Sequence, residues 1–255
     1  MIKQIPNIFT LLNLVFGCMA IVVSLQTGLI INNEVEVGNP YLEIPEKIIW
    51  ASVFIVAAAV IDFFDGFVAR LLKASSEMGK QLDSLADVVS FGVAPGMIIF
   101  QFLRISIAQH ESGLDASTIW LLPAFILPSA GAYRLARFNI DTEQSYGFKG
   151  VPIPAVGLLI ASFPLIYWFS SNEMIIQTMR NKWVWYFMIL ILSYLMVSTL
   201  PMLALKLKGV TLKKLIPFLL VLIVSIATAL FLGWLAVPIG FSVYVIISIV
   251  FKNQS

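Results

Sequence analysis

Long apolar stretches run through almost the whole chain, and they constrain its fold more than any other feature. The first, about Ile8 to Ile30, contains no charged residue. Similar stretches recur up to the C-terminus, and only 12% of the 255 residues are charged, against about 25% in soluble domains. Because about 20 mostly apolar residues suffice to cross a bilayer, the sequence predicts an all-α, polytopic membrane bundle.

We expect about eight transmembrane helices in a single domain over residues 1–255, with no room for a second, soluble domain. No small-residue cleavage pattern follows the first stretch, so we expect a retained helix and not a signal peptide. The last two helices should form a tight hairpin around Gly233 and Ala236. The predicted helices run from about Ile8 to Ile30, Ile48 to Leu72, Leu82 to Ile105, Ser117 to Phe138, Pro154 to Phe169, Trp183 to Leu205, Leu215 to Trp234 and Pro238 to Phe251.

The basic residues predict the orientation, because cytoplasmic loops are enriched in Lys and Arg. With the N-terminus in the cytoplasm, twelve of the 16 basic residues fall inside and four outside. Both termini should then face the cytoplasm, which suits an inner or cytoplasmic membrane. The inner residues are Lys3, Arg70, Lys73, Lys80, Arg134, Arg137, Lys149, Lys206, Lys208, Lys213, Lys214 and Lys252, and the outer ones are Lys47, Arg104, Arg180 and Lys182.

Several kinds of function are disfavoured by composition. The net charge of +2 is too small to suggest a nucleic-acid partner. Cys18 is the single cysteine, so no intrachain disulfide can form, and the single histidine, His110, argues against a histidine base or a histidine metal cluster.

Four aspartates lie within or beside the second and third apolar stretches, where charge is expensive and usually functional. Asp62 and Asp65 are three residues apart, and Asp83 and Asp87 are four apart, so each pair shares a helix face. The short linker between the two helices makes them antiparallel neighbours. All four carboxylates should therefore converge near the cytoplasmic end of the bundle.

Converging carboxylates repel one another and favour cations. All-oxygen ligands suit Mg²⁺ or Mn²⁺, and Ca²⁺ would also fit. Two ions could clamp a pyrophosphate and stabilise both oxygens of a displacement. The small residues Gly66, Ala69 and Gly79 would let a bulky group approach the backbone closely. The alternative is that the aspartates pair with Arg70 and Lys73, or line a transport path.

The stretch DFFDGFVARLLKASSEMGKQLDSLAD has the pattern D-x2-D-G-x2-A-R-x8-G-x3-D-x3-D. At every defined position it resembles the signature of the CDP-alcohol phosphatidyltransferases. The resemblance implies that Asp62, Asp65 and Asp83 bind metal, and that Asp87 binds a second metal and acts as the general base. It also implies that Gly66, Ala69 and Gly79 make room for the CDP group, that Arg70 supports the site electrostatically, and that the protein is a homodimer.

Three further stretches resemble the serine-using branch of this family: IPNIFTLLNLVFGCMAIV, AYRLARFN and GVPIPA. This resemblance implies CDP-diacylglycerol and L-serine as substrates. Other acceptors, such as glycerol 3-phosphate or inositol phosphate, remain alternatives. A secondary transporter is a further alternative, although we find neither the paired halves nor the broken helices of that class.

Two polar groups outside the signature are further candidate binding residues. Asn7, Thr10 and Asn13 repeat every third residue and could bind the nucleotide, or could cap the helix and bond to neighbouring helices. Arg134 and Arg137 are three apart and share a face. Either could grip a phosphate or the serine carboxylate, or could anchor the helix at the headgroup level.

Overall fold

The computed structural model describes residues 5–32, 41–72, 76–109, 116–140, 148–203 and 212–251. These residues form a helical bundle, which confirms the predicted all-α class. Within them, five helices are long and apolar enough to cross a membrane, so the chain is an integral membrane protein. His110 and five of the basic residues used for orientation lie outside the described residues: Lys3, Lys73, Lys206, Lys208 and Lys252.

The first half of the bundle contains α1 (Ile5–Gln26) and α2 (Ile49–Leu71). It also contains α3 (Glu77–Asp87), a π-helical turn (Val88–Val93) and α4 (Ala94–Ala108), which form one continuous helix. The predicted start of this helix at Leu82 is wrong. The helix begins at Glu77 because the Ser76 side chain accepts a hydrogen bond from the Gly79 backbone N–H at 3.0 Å, and this caps its first turn.

The second half also follows the expected order, with differences at the helix ends. The short helix α7 was not predicted, and α8 ends at Val197 instead of Leu205. Beyond α8, strand β4 (Pro201–Met202) pairs with β3 (Phe148–Lys149), and a similar short pair joins β1 (Ile30–Asn32) to β2 (Tyr41–Glu43). The helices are α5 (Ile126–Ile140), α6 (Ile153–Phe169), α7 (Glu173–Met179), α8 (Lys182–Val197), α9 (Leu212–Leu232) and α10 (Ala236–Val250).

The helix that runs from α3 to α4 lies at the centre of the bundle. In its most apolar stretch 72% of the residues are buried, against 6% in the C-terminal segment Ile216–Val250. Phe91 and Phe102 are fully buried on this central helix, and Phe102 stacks on Trp185 of α8 with ring centroids 4.6 Å apart. Asp83 and Asp87 therefore lie on the helix whose apolar stretch is the most buried among the five long helices of the described residues.

Glycines let the neighbouring helices approach the π turn closely. A Cβ on Gly17 of α1 would lie 2.8 Å from the Ser90 Cα, and a Cβ on Gly157 of α6 would lie 3.0 Å from the Phe91 Cα. Small residues are the usual means of close helix packing in membranes, where water supplies no hydrophobic driving force. They fix α1 and α6 against the segment that directly follows Asp87.

The C-terminal helices α9 and α10 form the predicted hairpin. Gly233, with φ of +56°, begins the connecting turn (Gly233–Leu235). Gly240 of α10 faces Ser225 of α9, since a Cβ there would lie 2.5 Å from the Ser225 Oγ. Large apolar side chains on α9, such as Phe231, are exposed, as expected for a surface that faces lipid.

Candidate active site

Three of the four aspartates form one cluster. Asp62 of α2 and Asp83 and Asp87 of α3 each contribute a carboxylate oxygen, and these three oxygens lie within 4.8 Å of one another. Two oxygens bound to the same divalent ion are at most about 4 to 5 Å apart, twice the metal–oxygen distance. The cluster therefore has the spacing and the donor chemistry to hold a hard cation.

Asp65 lies beside this cluster instead of inside it. Its Oδ2 accepts a hydrogen bond of 2.8 Å from the Thr10 hydroxyl on α1, and the residue is only 8% exposed. Like-charge repulsion still links Asp65 to Asp62, Asp83 and Asp87. The convergence predicted from the sequence thus holds closely for three carboxylates, while the fourth lies at the edge of the group.

Asn13 lies between the two helices that provide the cluster. Its Nδ2 is 3.5 Å from an oxygen of Asp62 and 3.5 Å from an oxygen of Asp87. The residue is fully buried, and its Oδ1 has no hydrogen-bond partner in the described part of the chain. Asn13 therefore contacts the aspartates, whereas Asn7 and Thr10, which precede it on α1, line a cavity.

This cavity, of about 530 Å³, opens next to the aspartate cluster. Pockets of about 300 to 1,000 Å³ are typical for small-molecule ligands. Five residues predicted to bind the nucleotide line the cavity, and two, Asn13 and Arg70, do not. The lining residues are Pro6, Asn7, Thr10, Asp65, Gly66, Ala69, Ser76, Glu77, Gly79, Lys80 and Asp83.

The two signature glycines differ in the space beside them. A Cβ on Gly66 would meet nothing closer than an Arg70 guanidinium nitrogen at 3.8 Å, so this position is open. A Cβ on Gly79 would lie 3.1 Å from both the Asn7 Oδ1 and the Ser76 Oγ. Gly66 thus keeps space free in the cavity, and Gly79 also lets α1 approach the start of α3.

Sequence reasoning missed two charged residues of the cavity, Glu77 and Lys80. Lys80 also donates a 3.3 Å hydrogen bond to the Asn139 carbonyl at the end of α5, and the Asn139 amide donates to Ser84 at 2.8 Å. Both missed residues occupy variable positions of the signature. A sequence signal for them does exist, because Ser76 followed by Glu77 is a helix start that would place them on the first turn.

The two arginines of α5 have different surroundings. Arg137 donates to the carbonyls of Val197 and Ser198 at 2.7 and 3.0 Å, so it caps the end of α8. Arg134 is only 5% exposed, interacts electrostatically with Asp87, and has no described hydrogen-bond partner for its Nε. The contacts of Arg137 therefore favour a structural role, while Arg134 interacts electrostatically with the candidate site.

Known proteins with similar sequences match the part of the chain that holds this site. The sequence profile described as CDP-alcohol phosphatidyltransferase matches residues 3–179, which include the four aspartates and both arginines. The chain belongs to this family. The resemblance given by the signature is thereby confirmed, and of the described helices α8, α9 and α10 lie wholly outside the matched region.

Among named members of the CDP-alcohol phosphatidyltransferase family, several relatives use serine. The chain is 34% identical over 157 residues to a CDP-diacylglycerol–serine O-phosphatidyltransferase of Helicobacter pylori (61% of this chain, 54% of the relative). It is 38% identical over 117 residues to the enzyme of that name from Bacillus subtilis (46% and 61%). It is 34% identical over 123 residues to the archaetidylserine synthase of Methanothermobacter thermautotrophicus (48% and 48%). The matches thus span about half the length of the curated relatives.

Proposed function

We propose that this protein transfers the phosphatidyl group of CDP-diacylglycerol to the hydroxyl of L-serine, giving phosphatidylserine and CMP. The observation that carries the proposal is the cluster of three carboxylates, one of which, Asp83, lines a 530 Å³ cavity together with the small residues of the signature. The family supports the type of reaction, and the names of the relatives support serine as the acceptor. We treat residues 1–255 as one transmembrane domain.

Divalent metal would be held by Asp62, Asp83 and Asp87, with Asp65 joining through a second ion. The oxygen-only donor set suits Mg²⁺ or Mn²⁺, with Ca²⁺ as a further fit. The hydrogen-bond donors that face these acids, Thr10 and Asn13, are neutral, so they do not themselves offset the negative charge of the acids. Bound metal would neutralise the pyrophosphate and the CMP leaving group.

The cavity would hold the CDP group of the lipid substrate. Gly66, Ala69 and Gly79 leave space along its wall, and Asn7 and Thr10 offer polar atoms for the nucleotide. The ammonium group of Lys80 would face the phosphates, as a positive charge at the entrance to an otherwise acidic site. Exposed apolar residues on α2, such as Phe63 and Phe67, leave that side of the helix to lipid, from which the substrate must enter.

The proton of the serine hydroxyl would pass to Asp87. A hydroxyl is a poor nucleophile until a positioned base removes its proton. The serine oxygen then forms a bond to the phosphorus that bears the diacylglycerol, the bond from that phosphorus to CMP breaks, and CMP leaves with the electron pair. Asp87 is buried at the end of α3, beside Asn13 and within electrostatic reach of Arg134.

The serine carboxylate would be bound by Arg134, which is buried and interacts electrostatically with Asp87. Arg137 was an equal candidate in sequence, but its contacts with the end of α8 favour a structural role.

We infer that the protein lies in an inner or cytoplasmic membrane, with this end of the bundle and both termini facing the cytoplasm. The reason is that this orientation assigns most of the basic residues to the cytoplasmic side. A homodimer is the assembly that the family resemblance suggests.

An acceptor panel tests the proposal. The purified protein, in vesicles with CDP-diacylglycerol and Mg²⁺, is given L-serine, glycerol 3-phosphate, inositol phosphate or no acceptor, and CMP release is measured. We expect release with serine and a lipid product of the mass of phosphatidylserine. Release only with a phosphorylated acceptor would assign the protein to another branch, and no release with any acceptor would contradict phosphatidyl transfer.

A further inference from the structure

Asn13 is an uncharged residue of α1 that contacts acids on two other helices. Its amide nitrogen lies 3.5 Å from a carboxylate oxygen of Asp62 on α2 and 3.5 Å from one of Asp87 on α3. A side-chain amide has two N–H donors, whereas an ionised carboxylate only accepts hydrogen bonds. The nitrogen end of the amide is therefore the end that suits both acids. The side chain connects α2 and α3 at two of the three members of the aspartate cluster.

The backbone of α1 is fixed at the point where it presents Asn13. The Ser90 hydroxyl, in the π turn, donates to the Asn13 carbonyl at 3.0 Å, and both residues are fully buried. One helical turn further along α1, Gly17 packs on Ser90, since a Cβ there would lie 2.8 Å from the Ser90 Cα. The π turn that directly follows Asp87 thus also fixes the donor that contacts Asp87.

The burial of Asn13 is difficult to explain by stability alone. Its Oδ1 is buried and has no hydrogen-bond partner in the described part of the chain. Burying a polar atom without a partner is costly, and an apolar side chain of similar size would avoid that cost. Asn13 also does not line the cavity in which the nucleotide would bind. The described hydrogen bonds of its side chain are the two to Asp62 and Asp87.

We propose that Asn13 is a positioning residue for the metal site, whose amide holds the carboxylates of Asp62 and Asp87 at a spacing that lets them share a divalent ion. This inference rests on the proposed function, in which these acids bind metal. Groups that hydrogen-bond to a ligating carboxylate orient it and contribute to metal affinity. Asn13 would therefore act on the metal instead of binding the nucleotide, as its spacing from Asn7 and Thr10 had suggested.

The test measures metal binding and nucleotide binding separately and needs no turnover. Asn13→Leu removes both donors at a similar side-chain size, and Asn13→Ala removes them with less bulk. Mn²⁺ is titrated into the purified full-length protein by calorimetry, and CDP binding is then measured at saturating Mn²⁺. We expect the Kd for Mn²⁺ to rise about ten- to a hundredfold in both variants, with the affinity for CDP at saturating Mn²⁺ unchanged.

Ser24→Ala is the matched control. Ser24 is also fully buried on α1, and its hydroxyl has no partner among the described residues. The substitution therefore changes a buried polar side chain of the same helix without touching the acids. It should leave the affinities for Mn²⁺ and CDP at their wild-type values.

A double substitution distinguishes positioning from packing. If Asn13 acts through Asp87, Asn13→Ala should weaken Mn²⁺ binding less in an Asp87→Asn background than in the wild type. Wild-type Mn²⁺ affinity in both Asn13 variants, an equal loss of Mn²⁺ and CDP binding, or failure of both variants to fold would overturn the inference. A wild type that binds no Mn²⁺ contradicts the metal site of the proposed function, whereas normal Mn²⁺ binding in the Asn13 variants contradicts only the inference.

Discussion

At the residue scale, the central question is what each carboxylate does. Asp87 is the last residue of α3, one helical turn after Asp83 and directly before the π turn. Single-turn π segments often mark functional sites in helices. Within the cluster, Asp87 contacts Asn13 and also interacts electrostatically with Arg134. It is therefore placed to act on an acceptor, while Asp83 lines the cavity.

The base and the ligands should respond differently to substitution. Asp87→Asn should still bind CDP-diacylglycerol in the presence of metal, but turn over about 10² to 10⁴ times more slowly, because the proton acceptor is lost. Asp83→Asn should lose both binding and turnover. Calorimetric binding and CMP release are measured on the same preparations. Loss of metal-dependent binding in Asp87→Asn would make Asp87 chiefly a ligand.

The space beside Gly66 gives a test of the nucleotide cavity. Gly66→Leu should abolish binding of CDP-diacylglycerol without unfolding the protein, because the new side chain extends into an open cavity. Gly28→Leu is the control, since a Cβ at Gly28 meets nothing within 4 Å and the residue does not line the cavity. Normal nucleotide affinity in Gly66→Leu would refute the assigned cavity.

The two arginines of α5 should separate in their effects. Arg134→Ala should raise the KM for serine about ten- to a hundredfold, because a charge-assisted hydrogen bond to the carboxylate is lost. Arg137→Ala should instead lower the thermal midpoint, because two carbonyls at the end of α8 lose their donor. Steady-state kinetics and thermal unfolding check both. A raised KM in Arg137→Ala and a lowered thermal midpoint in Arg134→Ala would instead assign carboxylate binding to Arg137 and the structural role to Arg134.

At the element scale, the sequence predicts the apolar interior of each helix better than its ends. The start of α3 was misplaced because Ser76 and Gly79 cap a polar first turn that has little hydropathy. The sequence of the π turn contains no residue that distinguishes it from the helices on either side, and α7 is too short to show a clear periodicity. The end of α8 depends on the pairing of β4 with β3, a contact between residues about 50 positions apart.

The packing of α1 on the π turn predicts a sensitive position outside the site. Gly17→Ala should destabilise the protein by about 1 to 3 kcal/mol, because the added methyl would lie 2.4 Å from the Ser90 Oγ and 2.8 Å from its Cα. Gly28→Ala is the control, because a Cβ at Gly28 would meet nothing within 4 Å, and it should leave the stability nearly unchanged. Thermal unfolding in detergent would check this, and equal midpoints would contradict the packing argument.

At the scale of the whole molecule, much of the candidate site follows from spacing along two helices. The intervals between Asp62 and Asp65 and between Asp83 and Asp87 were sufficient to predict carboxylates on facing helices. They were not sufficient to separate Asp65 from the cluster, because that depends on Thr10 of α1. The positions of Asn13 and Arg137 depend on tertiary contacts, which no local pattern encodes.

The most direct measurement of the central claim is metal-dependent formation of phosphatidylserine. Wild-type protein in vesicles with CDP-diacylglycerol and serine is treated with excess chelator and then with Mg²⁺ or Mn²⁺, beside Asp62→Asn as the variant that lacks a cluster ligand. We predict that the product disappears with chelator, returns with either ion in the wild type, and does not return in Asp62→Asn. Phosphatidylserine formed at the full rate in excess chelator, or by Asp62→Asn, would contradict the account.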